Sequence, residues 1–570
     1  MNRRSFITSA GESISAIDES HVAAAGSVSP FANKILPRIS HNASGLDPLG
    51  TIPTRDQITH LLRRTMFGAA SNDVSSLVGM SMSGILTLLL GDQATPAPPL
   101  NTSASDTTVP IGQTWVTAPK LNADGTNPNG ARTTSFKSWW IGRMLNQNIS
   151  LVEKMTLFWH NHFVSEMAVV GDARFSYIQN ALFRQYALGN FRTLTGLVTI
   201  DPAMLRYLNG NTNTKSSPNE NYGRELQELF TVSKGTEIAP GNYTNYTEAD
   251  VQAAAKVLTG WRDDQTNLNS YFTLSRHDTT NKQFSSDYQN TVVTGSSDPG
   301  GLVEINALLN MIFSQTETAR YICRKLYRWF VYYVIDDTIE ANIIDPLASI
   351  LIANNFEMKP VLQTLFASQH FFDPNNIGCM IKNPLDHTVG MCRQMGIVFP
   401  SSSSFATQYS HWNYVRSQAA GMQMDAGDPP NVAGWAAYYQ TPEFHELWIN
   451  SDTLPKRNKF TDTLNGSGYK NGGFTLAVDP IGFVNTVSNP SDPNVIVSEF
   501  AQRLFPFALT ANQLQFLHDI LLPGLPDYEW TAEWNDYVSN PTNTAKRNAV
   551  QSKLQALLTY MMDMAEFQLM

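Results

Sequence analysis

Apolar residues recur at three- and four-residue intervals along most of the chain, and the two-residue alternation of a half-buried strand is confined to short stretches such as 271–274. The least interrupted helical pattern covers 150–167, SLVEKMTLFWHNHFVSEM. Met155, Trp159, Phe163 and Met167 repeat every four residues, and Leu157, Phe158 and Val164 occupy the remaining sides. A helix that is apolar nearly all round belongs inside a domain. Ser150, with Glu153 three residues on, reads as a capping box and makes Leu151 the first helical residue.

The same spacing predicts a helix from Thr54 stopped at Gly68, and others over 81–90, 136–145, 175–187, 191–198 and 202–208. In SSPNENYGRELQELFTVSKG, Ser217 as N-cap, Pro218 at the first helical position and Glu220 two residues later mark another start, with Tyr222, Leu226, Leu229 and Phe230 as its buried stripe. Thr247 and Asp250 open a helix that ends at Gly260. Two helices fill 302–334, where Tyr327, Trp329, Phe330, Tyr332 and Tyr333 have the spacing of core. Asn383 caps a helix over 384–395, and amphipathic helices cover 495–504, 510–521 and 544–567.

The fold class is therefore mainly α: a large multi-helix domain around a buried central helix, with minor irregular or β insertions and a C-terminal helical segment. The expected organisation is a loosely ordered leader over 1–53 and a main domain over 54–457, then a linker or insertion over 458–493 and a helical segment over 494–570 packed on the main domain. Within the main domain, 92–134 is a long insertion rich in Pro, Thr, Asn and Gly, and 262–301 an irregular or β insertion. The 92–134 stretch is too long for a simple connection and reads equally as a disordered insertion or a flap over a surface.

The 570 residues exceed the size at which one core usually stops growing, and 42% hydrophobic residues supply ample core material. A net charge of −10 argues against a nucleic-acid binder and against an anionic membrane surface as the main partner. No stretch reaches the roughly 18 uninterrupted apolar residues of a membrane span. Cys323, Cys379 and Cys392 lack CxxC spacing, which leaves neither a thiolate zinc site nor a disulfide framework. Arg3-Arg4-Ser5-Phe6-Ile7 resembles a twin-arginine export motif and points to a periplasmic or extracellular protein. Glu12, Asp18 and Glu19 interrupt the apolar stretch such a signal needs, so a cytoplasmic location stays open.

Candidate chemistry concentrates in three places. His160 and His162 point roughly 200° apart on a regular helix, so one metal ion takes at most one of them. Glu166, four residues after His162, is expected within reach of that imidazole, fixing its tautomer and raising its pKa. On the NENYGRELQELF helix, Asn221, Glu225 and Glu228 share a flank with Arg224. That edge is either a surface laced by Arg224–Glu228 and Glu220–Arg224 pairs or a convergence of hydrogen-bonding groups. The third place is the loop cluster Arg276, His277, Asp278 and Lys282. Farther on, Pro429-Pro430-Asn431 leads to Gly434-Trp435, a rigid turn whose tryptophan lines a pocket for a sugar or aromatic group or locks the C-terminal helices on the core.

The stretches HLLRRTMFG, EKMTLFWHNHF, DPAMLRYL, NENYGRELQELFTV, YTEADVQAAAKVLTGW, RHDTTNK, IKNPLDHTVGMCRQMGI, PPNVAGW and EFQLM occur in an order that resembles the bacterial family known as domain of unknown function 1800. The resemblance is clear over 54–457 and weaker over 566–570. It implies a predominantly α-helical, often exported protein, frequently encoded beside an exported sulfatase-like family, and carries no established activity. The family's hallmark positions fall on Trp159, His160, Asn161, His162 and Phe163; on Asn219, Glu220, Asn221, Arg224, Glu225 and Glu228; and on His277, Asp278 and Lys282.

Two function classes follow. In the first, His160, His162, Glu225, Glu228, His277 and Asp278 act as acid and base in hydrolysis of an extracellular polymer or ester. A divalent metal would sit on His162, Glu225 and His277, with Asn161, Asn221, Arg224, Lys282 and Trp435 binding substrate. In the second, the same residues form a buried network that fixes helix packing, and the protein binds an exported sulfatase-like partner or a surface polymer. The signatures HExxH, GxSxG, Walker A and GxGxxG give no useful signal here.

Overall fold

The central stretch folds as a helix over Val152–His162 in which every residue is buried. It is shorter than its apolar spacing predicts: the chain leaves at Phe163 and resumes as one turn at Met167–Val170. The expected capping box does not form. Glu153 instead takes Arg184 through two bonds (2.8 and 2.9 Å) and Trp140 Nε1 (3.2 Å), because a buried carboxylate gains more from a guanidinium fork than from one amide. Ser150 Oγ accepts from the Val152 amide (3.2 Å).

The computed structural model describes residues 45–570, so the twin-arginine-like start and most of the expected leader lie outside the described residues. In chain order, the helices around the centre are α1 (Arg55–Thr65), α2 (Asn129–Leu145), the central α3 (Val152–His162), α4 (Ala173–Gln185), α5 (Phe191–Thr199), α6 (Glu220–Glu228), α7 (Thr316–Phe330) and α8 (Pro384–Gln394). Trp140 of α2 and Phe183 of α4 meet His160 edge-on, Phe191 of α5 stacks on Trp159, and Trp329 of α7 meets Phe158. Lys154 pairs with Asp386 of α8 at 2.5 Å, both side chains buried. Gly68, just beyond α1, has φ +76°, and a Cβ there would sit 2.8 Å from the Gly390 backbone, so α1 and α8 meet backbone to backbone.

Strands are minor among the described residues: four two-stranded antiparallel sheets, of which Trp261–Asp264 with Asn269–Phe272 is the longest. It begins one residue ahead of the expected 262–301 insertion.

Several boundaries differ from the sequence reading. The helix expected from Ser217 starts at Glu220 with Asn219 as its N-cap, whose side chain accepts from the Asn221 amide. The 92–134 insertion is the flap rather than a disordered stretch: Arg132 pairs with buried Asp106 (2.7 Å), Trp115 Nε1 donates to Ser135 (3.1 Å) and Trp139 Nε1 donates to the Ala97 carbonyl (2.8 Å). In place of a linker after 457, the helix Thr453–Asn465 runs across that point with Phe460 and Leu464 fully buried, followed by the hairpin Tyr469–Asn471 and Phe474–Leu476. The C-terminal helices are Pro493–Leu504, Ala511–Leu521, Asp527–Ser539 and Thr544–Asp563. The third escaped the sequence reading because only Trp530 and Trp534 of it are buried, too few to set a period.

The Lys154–Asp386 pair yields a test. Lys154→Met alone removes the cation bonded to the buried Asp386 carboxylate and should cost about 3–5 kcal/mol in chemical denaturation. Lys154→Met combined with Asp386→Leu should recover most of that loss. A double variant no better than the single one would contradict the assignment.

Candidate functional site

Four consecutive side chains at the end of α3 hold the backbone of three other segments. Trp159 Nε1 donates to the Ala187 carbonyl (3.1 Å). His160 makes a hydrogen bond to the Gly427 backbone. Asn161 Oδ1 accepts from the Trp435 amide (2.9 Å). His162 Nε2 lies 3.1 Å from the Phe230 carbonyl, just past α6. A carbonyl only accepts, so Nε2 carries the proton. The approach of Asn161 to its loop needs a glycine at 434, whose φ is +95° and whose Cβ would lie 2.3 Å from Asn161 Oδ1. The same loop is clamped by Lys137 to Asp425 and Asp428, by Arg416 to Asp425, and by the Met167 amide to Asp428 (2.7 Å).

His160 and His162 thus serve different neighbours, as their angular separation requires. Both are neutral. Burial, helped by the charge of Lys137, lowers the His160 pKa to about 3 against the Gly427 bond. Burial and Lys325 hold His162 well below 6.5 against the Phe230 bond. This corrects the expectation of a raised His162 pKa. The helix ends at His162, and Glu166 accepts instead from the Tyr207 hydroxyl (3.0 Å). Trp435, read as lining a pocket or as locking helices on the core, is buried.

On α6, Arg224 binds Glu248 (2.5 and 2.6 Å) and Glu220 (3.2 Å), rather than Glu228. Glu228 accepts from the Tyr246 hydroxyl (3.0 Å) and has Lys234 at 3.8 Å. Glu225 lies half-buried between them and Asn221 is exposed. The third cluster closes on Glu304, a residue the sequence reading missed. His277 Nε2 and Lys282 Nζ lie 2.9 and 2.5 Å from its two oxygens, and the Ser296 amide donates to it at 2.6 Å. Burial works to raise the Glu304 pKa, but these bonds hold it below the ordinary value. His277 Nδ1 faces the Thr259 carbonyl (2.9 Å), while Asp278 accepts from the Thr280 amide and hydroxyl. The missed signal was the single charged residue in the mostly apolar LVEINALL.

Among the described residues no three His, Cys, Asp or Glu side chains gather into a group able to hold a metal ion, so His162, Glu225 and His277 do not form the suggested ligand set. Side chains of the HLLRRTMFG motif, and Arg457, likewise hold distant backbone. His60 bonds to the Phe371 carbonyl, Arg63 to those of Phe505 and Arg503, Arg64 to those of Val331 and Asn376, and Arg457 to that of Lys382.

Buried neutral histidines set a pH dependence. Burial first, then nearby cations, hold His60 and His160 at about 3, His445 at about 4, and His162 and His387 well below 6.5. Below 6.5 the unfolded chain takes up protons that the fold refuses. Their stabilisation is therefore complete above 6.5 and lost as pH falls toward 4, at up to about 1.4 kcal/mol per pH unit for each histidine. Denaturation free energies measured across that window should fall steadily with pH; a flat profile would refute neutral burial.

A family model described as a protein of unknown function, DUF1800, matches residues 60–569. No curated protein and no solved structure matches the chain. The matched span reaches through the C-terminal helices, beyond the stretch in which the motifs are dense, and includes every residue of the α3 hub and its partners. The chain belongs to the DUF1800 family.

Proposed function

We propose that this chain is an exported, non-enzymatic binding or assembly protein, working with a surface polymer or an exported sulfatase-like partner. One observation carries the reading. The hallmark residues Trp159, His160, Asn161 and His162 are all engaged in holding the backbone of other segments, and His277 and Lys282 are engaged by Glu304. Side chains in such a network position loops, and binding residues are commonly carried on loops held by a rigid scaffold.

One observation favours a hydrolytic reading by acid–base catalysis. Half-buried Lys325 of α7 has its pKa lowered to about 7 by burial and by Arg328, a value suited to a general base. It lies beside Tyr321, whose own pKa is raised by burial and by the charges of Glu228 and Glu225.

The two readings separate by experiment on the full chain. His162→Ala and Asn161→Ala should each lower stability by about 2–4 kcal/mol. Limited proteolysis of these variants should show early cleavage near Phe230 and within 425–435 respectively. Elemental analysis that finds near-stoichiometric metal, lost in a still-folded His162→Ala variant, would overturn the proposal. So would ester or polymer hydrolysis abolished by Lys325→Met.

A further inference from the structure

A cavity of about 490 Å³ opens beside the start of α3, between α4, the 92–96 strip of the flap and the start of the helix Met358–Ala367 with its N-cap Glu357. Its floor is apolar, made by buried Val152, Ala187 and Leu188. Half-buried Tyr177 forms part of the wall, its ring held edge-on by Trp115 and Trp139 at 6.5 and 5.8 Å. Trp139 in turn fixes the flap through the Ala97 carbonyl. An aromatic group and its surroundings are therefore locked in place rather than mobile.

The charges lining this cavity already have partners. Arg184 is held by both oxygens of Glu153 and by Asn180 (2.8 Å), Lys359 by Asp92 (2.7 Å), and Glu357 by the Asn190 side-chain amide (3.0 Å). An ionic ligand would have to break one of these pairs. Neutral groups are left over instead: among the described residues the side chains of Tyr177, Thr95 and Gln185 make no hydrogen bond, although all three line the cavity. Burial raises the Tyr177 pKa, so the phenol keeps its proton and donates. The rim at Gln93, Thr95 and Gln185 is exposed, leaving room for a chain to run on into solvent.

We propose that this cavity binds a neutral saccharide segment of a polysaccharide. A sugar ring offers what the lining asks for: an apolar C–H face for the Tyr177 ring and the aliphatic floor, edged by hydroxyls for the phenol, the threonine and the glutamine. The volume lies within the roughly 300–1,000 Å³ of small-ligand sites, enough for a short oligosaccharide. This inference rests on the binding reading above and names its ligand class.

The test is calorimetric titration of the full chain with cellohexaose, maltohexaose and chitohexaose, and with anionic hexagalacturonate, followed by mass spectrometry of each sugar. At least one neutral hexasaccharide should bind with a Kd of about 1 mM or tighter. Tyr177→Phe, which keeps the ring, should weaken that binding about three- to tenfold. Gln185→Trp, at an exposed position on the rim, should abolish it. Failure of all three neutral sugars, preference for hexagalacturonate, or binding that survives Gln185→Trp would overturn the site. A bound sugar recovered shortened would uphold the site and overturn the non-enzymatic reading, whereas absence of binding would leave that reading standing.

Discussion

A helix with no solvated face must find a partner inside the protein for every polar side chain it carries, since an unpaired buried polar group costs more than a hydrogen bond returns. On α3 that obligation falls on Glu153, Lys154, His160, Asn161 and His162. They meet it on four other elements: α4, α8, the 425–435 loop at two points, and the end of α6. Segments far apart in sequence are thus referred to one internal axis, and the positions of the surrounding loops follow from it.

The same economy appears around α8, where buried cations outnumber carboxylates. Asp386 lies within the field of Lys154, Lys382 and Arg64. Most of the balance is met by backbone carbonyls. Lys382 donates to the Phe567 carbonyl (2.5 Å) with its ammonium 4.0 Å above the Phe567 ring, and Arg457 reaches the Lys382 carbonyl and Gln568. Burial and the neighbouring charges of Arg63 and Arg457 hold the Lys382 pKa well below its ordinary value. Carbonyl capture has a geometric consequence: it fixes backbone, and so ties the 566–570 tail to the segment ahead of α8, where the Lys382 amide meets the Gln568 carbonyl and the Met570 amide meets that of Met380.

This division of labour separates the hub from the surface that would meet a ligand. The hallmark histidines are walled by aromatic rings and engaged by backbone, whereas the cavity beside α4 borrows only the outer end of α3, through Val152 and the Glu153–Arg184 pair. Rigid support from the hub and an open, amphipathic cleft on its flank, its charges already paired, are the two parts a binding protein of this size needs.

Much of the helical architecture was legible in the chain, because burial periodicity and capping are local: Thr247 with Asp250, Asn383 before Pro384, and the all-round apolar pattern of α3 each act within a few residues. The C-terminal stop of α3 and the Trp530–Trp534 helix were not, since each depends on what the segment packs against. The candidate residues were legible as polar groups inside apolar stretches, but their roles were not. Glu153 reads as a cap until Arg184 is beside it, His162 as the partner of Glu166 until the Phe230 carbonyl accepts its hydrogen bond, and His277 as a metal ligand until Glu304 closes on it. Sequence by itself determined the family, the helical class and which polar groups must be buried. Tertiary structure decided whom they meet, because a hydrogen bond or ion pair is set by distances between segments that spacing along the chain does not encode.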